Sequence, residues 1–458
     1  MAFKTIIEPF KIKVIEPIKI TTEEERQGYL KEAHYNLFGL KSEQVLIDFL
    51  TDSGTSAMSD NQWASLMLGD ESYAGSKSWG RMRNTIHELT GYPHIFPTHQ
   101  GRAAERIVYG KLGGKGKVFI SNTHFDTTRA NIEVTGAEAI DIPIPESKDT
   151  ALVYPFKGNM DIGKLEELVK KHGKENIGAV ILTVTNNSSG GQPVSMENAV
   201  SVGKICRNYG LLYLIDCCRI AENAYFIKHR EPGYENMGYY EIAQKMFSLA
   251  DGCIMSAKKD AIVNMGGFFA LKDKDFADSC RETLIITEGY ITYGGLSGRD
   301  METIATGLQE VFDPDYLHYR IRSTAYLGNK LHEVGVPVML PIGGHAVYVD
   351  AKKMYPNIPA EEYPGQALAC ELYLKGGIRS CEIGSVMMGH RDASGCFIAA
   401  PMELVRLAIP RRVYTQSHIE YVIEVFEKLQ EDCGSVKGLK IIEEPRFLRH
   451  FTAKFERL

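Results

Sequence analysis

The chain has 458 residues, 44% of them hydrophobic and 24% charged, with a net charge of −6 at pH 7. That length supports a large core and two or three domains, and the mild acidity argues against a polyanionic partner such as nucleic acid. No run reaches the roughly 18 apolar residues that a membrane-crossing helix needs, and the nine cysteines show no metal-ligand spacing, which fits reduced thiols in a cytoplasm.

The N-terminal stretch to residue 57 reads as an arm, broken at Pro9 and Pro17. Its interrupted apolar runs fit neither a signal peptide nor an anchor. The segment 81–92 has helical spacing and stops near Gly91, "HIFPT" at 94–98 is a short strand, 101–112 is helical and 116–121 is a strand. Asp161 is an N-cap candidate for a helix that ends at Gly173; "GAVILTV" at 178–184 has the unbroken apolar character of a buried parallel strand. A helix at 194–210, then strands at 211–216, 251–257 and 266–271, continue the alternation. Such alternation predicts one open, mostly parallel α/β sheet in a large domain over 58–310. Long helices at 301–312 and 317–335, with strands at 345–351 and 403–410, predict a smaller α+β domain over 311–458, to which the arm contributes.

Ligands of open α/β sheets bind at the carboxyl ends of the strands. After 94–98 comes "HQGRAAER", a glycine turn opening a helix, where amides, helix dipole and Arg102 suit a phosphate; a plain turn has the same appearance. After 211–216 comes Asp216, and after 251–257 come Ser256, Lys258 and Lys259. A phosphate turn, a strand-end acid and a strand-end lysine together suit pyridoxal phosphate, which needs a lysine for its imine and an acid for its pyridine nitrogen. Desolvation and neighbouring cations lower the pKa of such a lysine.

The segments "LTDSGTSAMSDNQWA", "GDESYAGS", "PTHQGRAAE", "GGQPVS", "AENAYFIK", "MSAKKD", "TYGGLSGRDM", "GGHAVYVDA" and "LVRLAIPRRVYT" run the length of the chain. Together they resemble the β-eliminating lyases of aromatic amino acids. The resemblance implies fold type I of the pyridoxal phosphate enzymes, the aspartate-aminotransferase type, with a seven-stranded sheet. It implies that Lys259 is the imine lysine and the α-proton base, with Lys258 organising water and charge beside it. Gln100, Gly101, Arg102 and Ser256 then cradle the phosphate, Phe125 stacks on the ring, and Asn187 and Arg219 lie on its O3′ side. Arg406 clamps the substrate carboxylate, on the opposite strand face from Val405 and Leu407, though an ordinary salt bridge is its alternative. Thr51 and Tyr293 contact substrate. Tyr73 acts as a catalytic phenol reaching in from a neighbouring subunit of a homotetramer. Glu71 and the carbonyls of Gly54 and Asn264 hold potassium.

Phenol-releasing members carry Thr, Arg and Phe where this chain has Asp126, Ile383 and His450, which follow the indole-releasing pattern. Protonating indole at C3 puts charge on its ring nitrogen, and a carboxylate at 126 accepts that N–H. Isoleucine at 383 leaves an apolar wall for the larger ring, or serves as plain core. His450 orients nearby groups or is structural. The expected reaction is β-elimination of L-tryptophan with water to indole, pyruvate and ammonia, with elimination of phenol from L-tyrosine as the alternative. Cys217 and Cys218 depart from the small residues expected after Asp216, and packing explains them best. The Gly-rich stretch 385–397 reads equally as a flap or an inert loop.

Overall fold

The computed structural model describes residues 5–392, 394–446 and 448–458; the first four residues of the arm and Ala393 in the 385–397 stretch lie outside the described residues. Two compact units divide the chain: Ser53–Ser147 with Pro155–His318, and Met1–Asp52 with Lys148–Tyr154 and Tyr319–Leu458. From the sequence, the divisions fall at 57/58 and 310/311.

The larger unit is built on β1 (His94–Thr98), β2 (Val118–Ser121), β3 (Glu138–Asp141), β4 (Ile177–Thr183), β5 (Tyr213–Asp216), β6 (Gly252–Ser256) and β7 (Gly267–Leu271). They form one seven-stranded sheet in the order β1-β7-β6-β5-β4-β2-β3. Only β7 runs against the others. The expected mostly parallel sheet is therefore the one observed. The apolar run of β4 is buried almost throughout, as a strand covered on both faces must be.

Local signals stop the connecting helices where the sequence predicts. Asp161 accepts the Lys164 N–H at the start of Ile162–His172. Gly210, in the left-handed region at φ 64°, ends Met196–Tyr209, a conformation that costs other residues more. Helices at Asp126–Glu133, Ile220–Arg230 and Tyr239–Ser248 and the edge strand β3 were not legible from periodicity. β3 has four residues and is only half covered, so its pattern is weak.

In the smaller unit, β8 (Ala346–Asp350), β9 (Cys381–Ile383) and β10 (Leu404–Ala408) form an antiparallel sheet in the order β9-β10-β8. Val405 and Leu407 enter the main core of this unit, and Leu404 and Ala408 a second cluster on the other face. Period-two alternation thus puts Arg406 on the second face, as expected. His390–Arg391, within 385–397, pair antiparallel with Phe397–Ile398 at its end. Among the described residues, no helix is long and apolar enough to cross a membrane.

Candidate active site

Five strand ends of the larger unit open into one cleft. Behind β1, Gln100 is the N-cap of the helix Gly101–Leu112 and makes no side-chain cap bond. The Ala103 N–H donates to the Gln100 carbonyl at 3.1 Å, and with no side-chain cap the rest of the first turn faces an anion that the helix dipole favours. Gly101 is required by proximity: a Cβ there would lie 2.6 Å from the Ser256 Cβ at the end of β6. Arg102 and Ser256 line the same corner.

Behind β5, the Asp216 carboxylate accepts the Cys218 N–H at 3.3 Å. Arg219, buried, follows as the N-cap of Ile220–Arg230, and its amide donates to the Val184 carbonyl at 3.3 Å. β4 delivers Thr185 and Asn187, both buried; among the described residues the Thr185 hydroxyl has no hydrogen-bond partner. β2 leads to Phe125, the N-cap of Asp126–Glu133. β6 leads to Lys258 and Lys259, on the connection that reverses the chain into β7.

That lysine turn is fixed from beneath. The Ile262 N–H donates to the Lys259 carbonyl at 2.9 Å, and the Asp260 N–H to the Cys218 carbonyl at 3.3 Å. The buried Asp260 carboxylate accepts the Ala221 N–H at 2.7 Å, at a helix start where negative charge is favoured. The "KKD" tripeptide is thus tied to the turn that presents Asp216. Burial pushes the Lys258 ammonium down, and Lys259 and Arg102 push it further.

Gln100, Gly101, Arg102, Phe125, Asn187, Asp216, Arg219, Ser256, Lys258 and Lys259 all line this cleft. Asp126 sits between two lining residues, half-buried, its carboxylate accepting the Thr127 N–H at 2.6 Å. Asn264 donates its side-chain amide to the Gly54 carbonyl at 3.0 Å, and the Gly54 N–H donates to the Lys258 carbonyl at 2.9 Å, so these two lie beside the lysine turn. Glu71 instead pairs with Arg299 at 3.3 Å. Tyr73 is 70% exposed and its ring lies 5.9 Å from that of Tyr290 and 5.1 Å from that of Tyr293. Glu71, Tyr73 and Tyr293 are not among the residues lining the cleft.

The remaining expected residues belong to the smaller unit. Arg406, buried, donates from Nη2 to the Leu50 carbonyl at 3.0 Å, next to Thr51 in the chain. Ile383 is buried in the cluster with Tyr348 and Leu404. His450 is buried, its ring 4.0 Å from that of Phe451 and 5.9 Å from that of Phe38.

Glu105 and the Arg411–Asp52 pair escaped the sequence, whereas the Cys217–Cys218 pair, expected as packing, divides between cleft and core. Glu105 lines the cleft, and burial together with Asp216 pushes its carboxyl up to about 7. The signal for it was a lone acid among the buried Ala103, Ala104, Ile107 and Val108 of one helix. Cys218 also lines the cleft, its sulfur accepting the Ser256 N–H at 3.2 Å, whereas Cys217 packs in the core with its thiol on the Ile254 carbonyl at 3.3 Å. Burial holds both thiols protonated. Arg411 and Asp52 form a buried ion pair at 3.0 Å in the smaller unit. The cleft thus offers an anion cradle, a carboxylate and a lysine pair around a space with an aromatic wall.

A family model described as β-eliminating lyase matches residues 48–425. The chain is 56% identical to a tryptophanase of Salinibacter ruber, over 98% of this chain and 95% of that one. It is 53% identical to a tryptophanase of Hyphomonas neptunium, over 99% and 100%. A tyrosine phenol-lyase of Pasteurella multocida is 46% identical, over 98% of both chains. Among solved structures, a serine palmitoyltransferase from S. paucimobilis superposes with a TM-score of 0.56 at 15% identity, over 90% of this chain and 97% of that one. A threonine aldolase of Leishmania major gives 0.57 at 14%, over 84% and 99%, and both likenesses concern the fold alone. With the family model spanning most of the chain and full-length relatives above half identity, the chain belongs to the β-eliminating lyase family.

Proposed function

We propose that the protein is a pyridoxal phosphate-dependent carbon–carbon lyase that splits L-tryptophan with water into indole, pyruvate and ammonia, acting as a cytoplasmic homotetramer. The observation that carries this is the convergence of Lys259, Asp216, Arg102 and an uncapped helix start on one cleft. The donor set fits the cofactor: the helix start at Gly101, Arg102 and Ser256 for a phosphate, Asp216 for a ring nitrogen, and the buried Thr185 hydroxyl, without a partner among the described residues, for a polar substituent. When bound, pyridoxal phosphate supplies an electron sink for the negative charge left at the substrate α-carbon.

Each residue then has a definable task. Asp216 would hold a proton on the pyridine nitrogen, Phe125 would stack on the ring, and Asn187 and Arg219 would bond its O3′ side. Lys259 would hold the cofactor covalently and, when free, would take the substrate α-proton on Nζ. Arg406 receives the substrate carboxylate with a planar, bidentate donor pair, and Thr51 and Tyr293 position the substrate. Tyr73, from a neighbouring subunit, takes part in proton delivery to the indole side, directly or through water. Asp126 accepts the indole N–H as positive charge develops there, against an apolar wall at Ile383, with His450 orienting the groups around it. The Gly54 and Asn264 carbonyls, with Glu71, would hold potassium, a hard cation suited to oxygen ligands, and Lys258 would order water nearby.

The higher identity to relatives named tryptophanase, 56% and 53% against 46% for the phenol-lyase, favours indole over phenol as leaving group. The test is incubation of the loaded protein with potassium and either tryptophan or tyrosine. Indole and pyruvate in equal amounts, with kcat/KM favouring tryptophan, are expected; a strong preference for tyrosine refutes the assignment.

A further inference from the structure

Phe125 and Asp126 sit at the junction between β2 and the helix Asp126–Glu133, where no strand pairing holds the chain. Two carboxylates from other elements grip the junction on either side. On one side Asp141, at the end of β3, accepts the His124 N–H at 2.8 Å and stands 2.6 Å from His124 Nδ1. Its second oxygen receives Arg129 Nη2 at 2.6 Å. On the other side Glu105, on the phosphate-facing helix, accepts the Thr128 hydroxyl on Oε1 at 2.6 Å and the Thr127 hydroxyl on Oε2 at 3.0 Å. Asn131 adds a third donor to Oε2 at 3.3 Å.

We propose that Glu105 is a positioning residue: by clamping Thr127 and Thr128 it fixes the Phe125–Asp126 turn, and so sets how the cofactor ring is stacked and how the departing ring is met. The inference rests on the functional reading above. A buried carboxylate beside Asp216 is costly, and a neutral side chain of similar size would avoid that cost. What the carboxylate provides is two acceptor oxygens aimed at two neighbouring hydroxyl donors, a pattern that one amide oxygen does not reproduce. Glu105 itself lines the cleft, so the clamp and the cofactor wall are one structure. Asp216, Lys259 and Tyr109 are the charged or titratable groups that sense it electrostatically.

Full-length wild type, Glu105→Ala, Glu105→Gln and Thr128→Val are compared in two ways. The first is the dissociation constant for pyridoxal phosphate, with the circular dichroism of its bound band. The second is kcat/KM for tryptophan against S-ethyl-L-cysteine, whose thiolate leaves without an N–H for Asp126 to accept. For Glu105→Ala, cofactor binding about tenfold weaker and a preference for tryptophan about tenfold lower are expected, the size of one lost charge-assisted hydrogen bond. Thr128→Val moves both in the same direction by a smaller factor, and Glu105→Gln, with one acceptor oxygen in place of two, recovers only part of the cofactor affinity. A wild type that binds no pyridoxal phosphate sinks the functional reading and this inference with it. A wild type that binds it, with Glu105→Ala and Thr128→Val indistinguishable from it in both readouts, overturns the inference alone; should Glu105→Ala not fold, Thr128→Val decides.

Discussion

Two regions of the larger unit carry residues of equal standing in the sequence and are built in opposite ways. At the strand ends, Asp216, Ser256 and Lys259 are held by β5 and β6 and cross-tied through Asp260, so one chain assembles them. The Glu71–Tyr73 segment lies outside any helix or strand, with Tyr73 70% exposed against Tyr290 and Tyr293. Sheet topology brings residues together within a chain whatever their sequence separation. An exposed phenol outside regular structure gains a fixed place only when something covers it, and the proposed neighbouring subunit would do so for Tyr73.

The comparison can be broken most severely at its rigid side. Lys259→Ala is expected to lower turnover of tryptophan by a factor of about 10⁴ or more in a steady-state indole assay, since it removes both the covalent anchor and the base. Near-normal elimination by that variant would end the mechanism. Tyr73→Phe should cost about 10²-fold in kcat, the range of one proton donor. Mixed oligomers of Tyr73→Phe and Lys259→Ala chains sharpen the contrast: activity returns on mixing if the phenol serves a neighbouring subunit, and stays absent if each chain uses its own. Gly101→Ala should weaken cofactor binding by about 1–3 kcal/mol, because the added Cβ, 2.6 Å from the Ser256 Cβ, forces the helix start away from β6; a fluorescence titration reads it.

An effect on stability rather than on turnover is expected in the other unit. Burial and the neighbouring Glu403 push the Glu382 carboxyl up from its ordinary 4.5 to about 8. A raised carboxyl keeps its proton in the native state after the unfolded chain has lost it. Its cost to stability is therefore absent below pH 4.5, grows as pH rises, and is complete above about pH 8. Glu382→Gln should flatten the fall in melting temperature between pH 5 and 8 relative to wild type; an unchanged slope would show that Glu382 titrates normally.

Much of this was legible in the sequence for identifiable reasons. Apolar runs such as 177–183, and caps such as Asp161 and Gly210, are local, so the sheet strands and the helix limits could be read directly. The lysine turn and Asp216 stood out because they follow buried strands. Long-range pairs leave no such trace. The Glu105 carboxylate meets hydroxyls 22 and 23 residues away, and the Asp52–Arg411 ion pair spans 359 residues. Gly54 and Asn264 meet through a backbone carbonyl, which composition does not record.

The central claim is that the ε-nitrogen of Lys259 is where the cofactor is bound covalently. Borohydride reduction of the protein loaded with pyridoxal phosphate, followed by peptide mass mapping, tests it most directly. A pyridoxyl label on Lys259 and not on Lys258 is the result expected; a label on Lys258, on another lysine, or on none would contradict it.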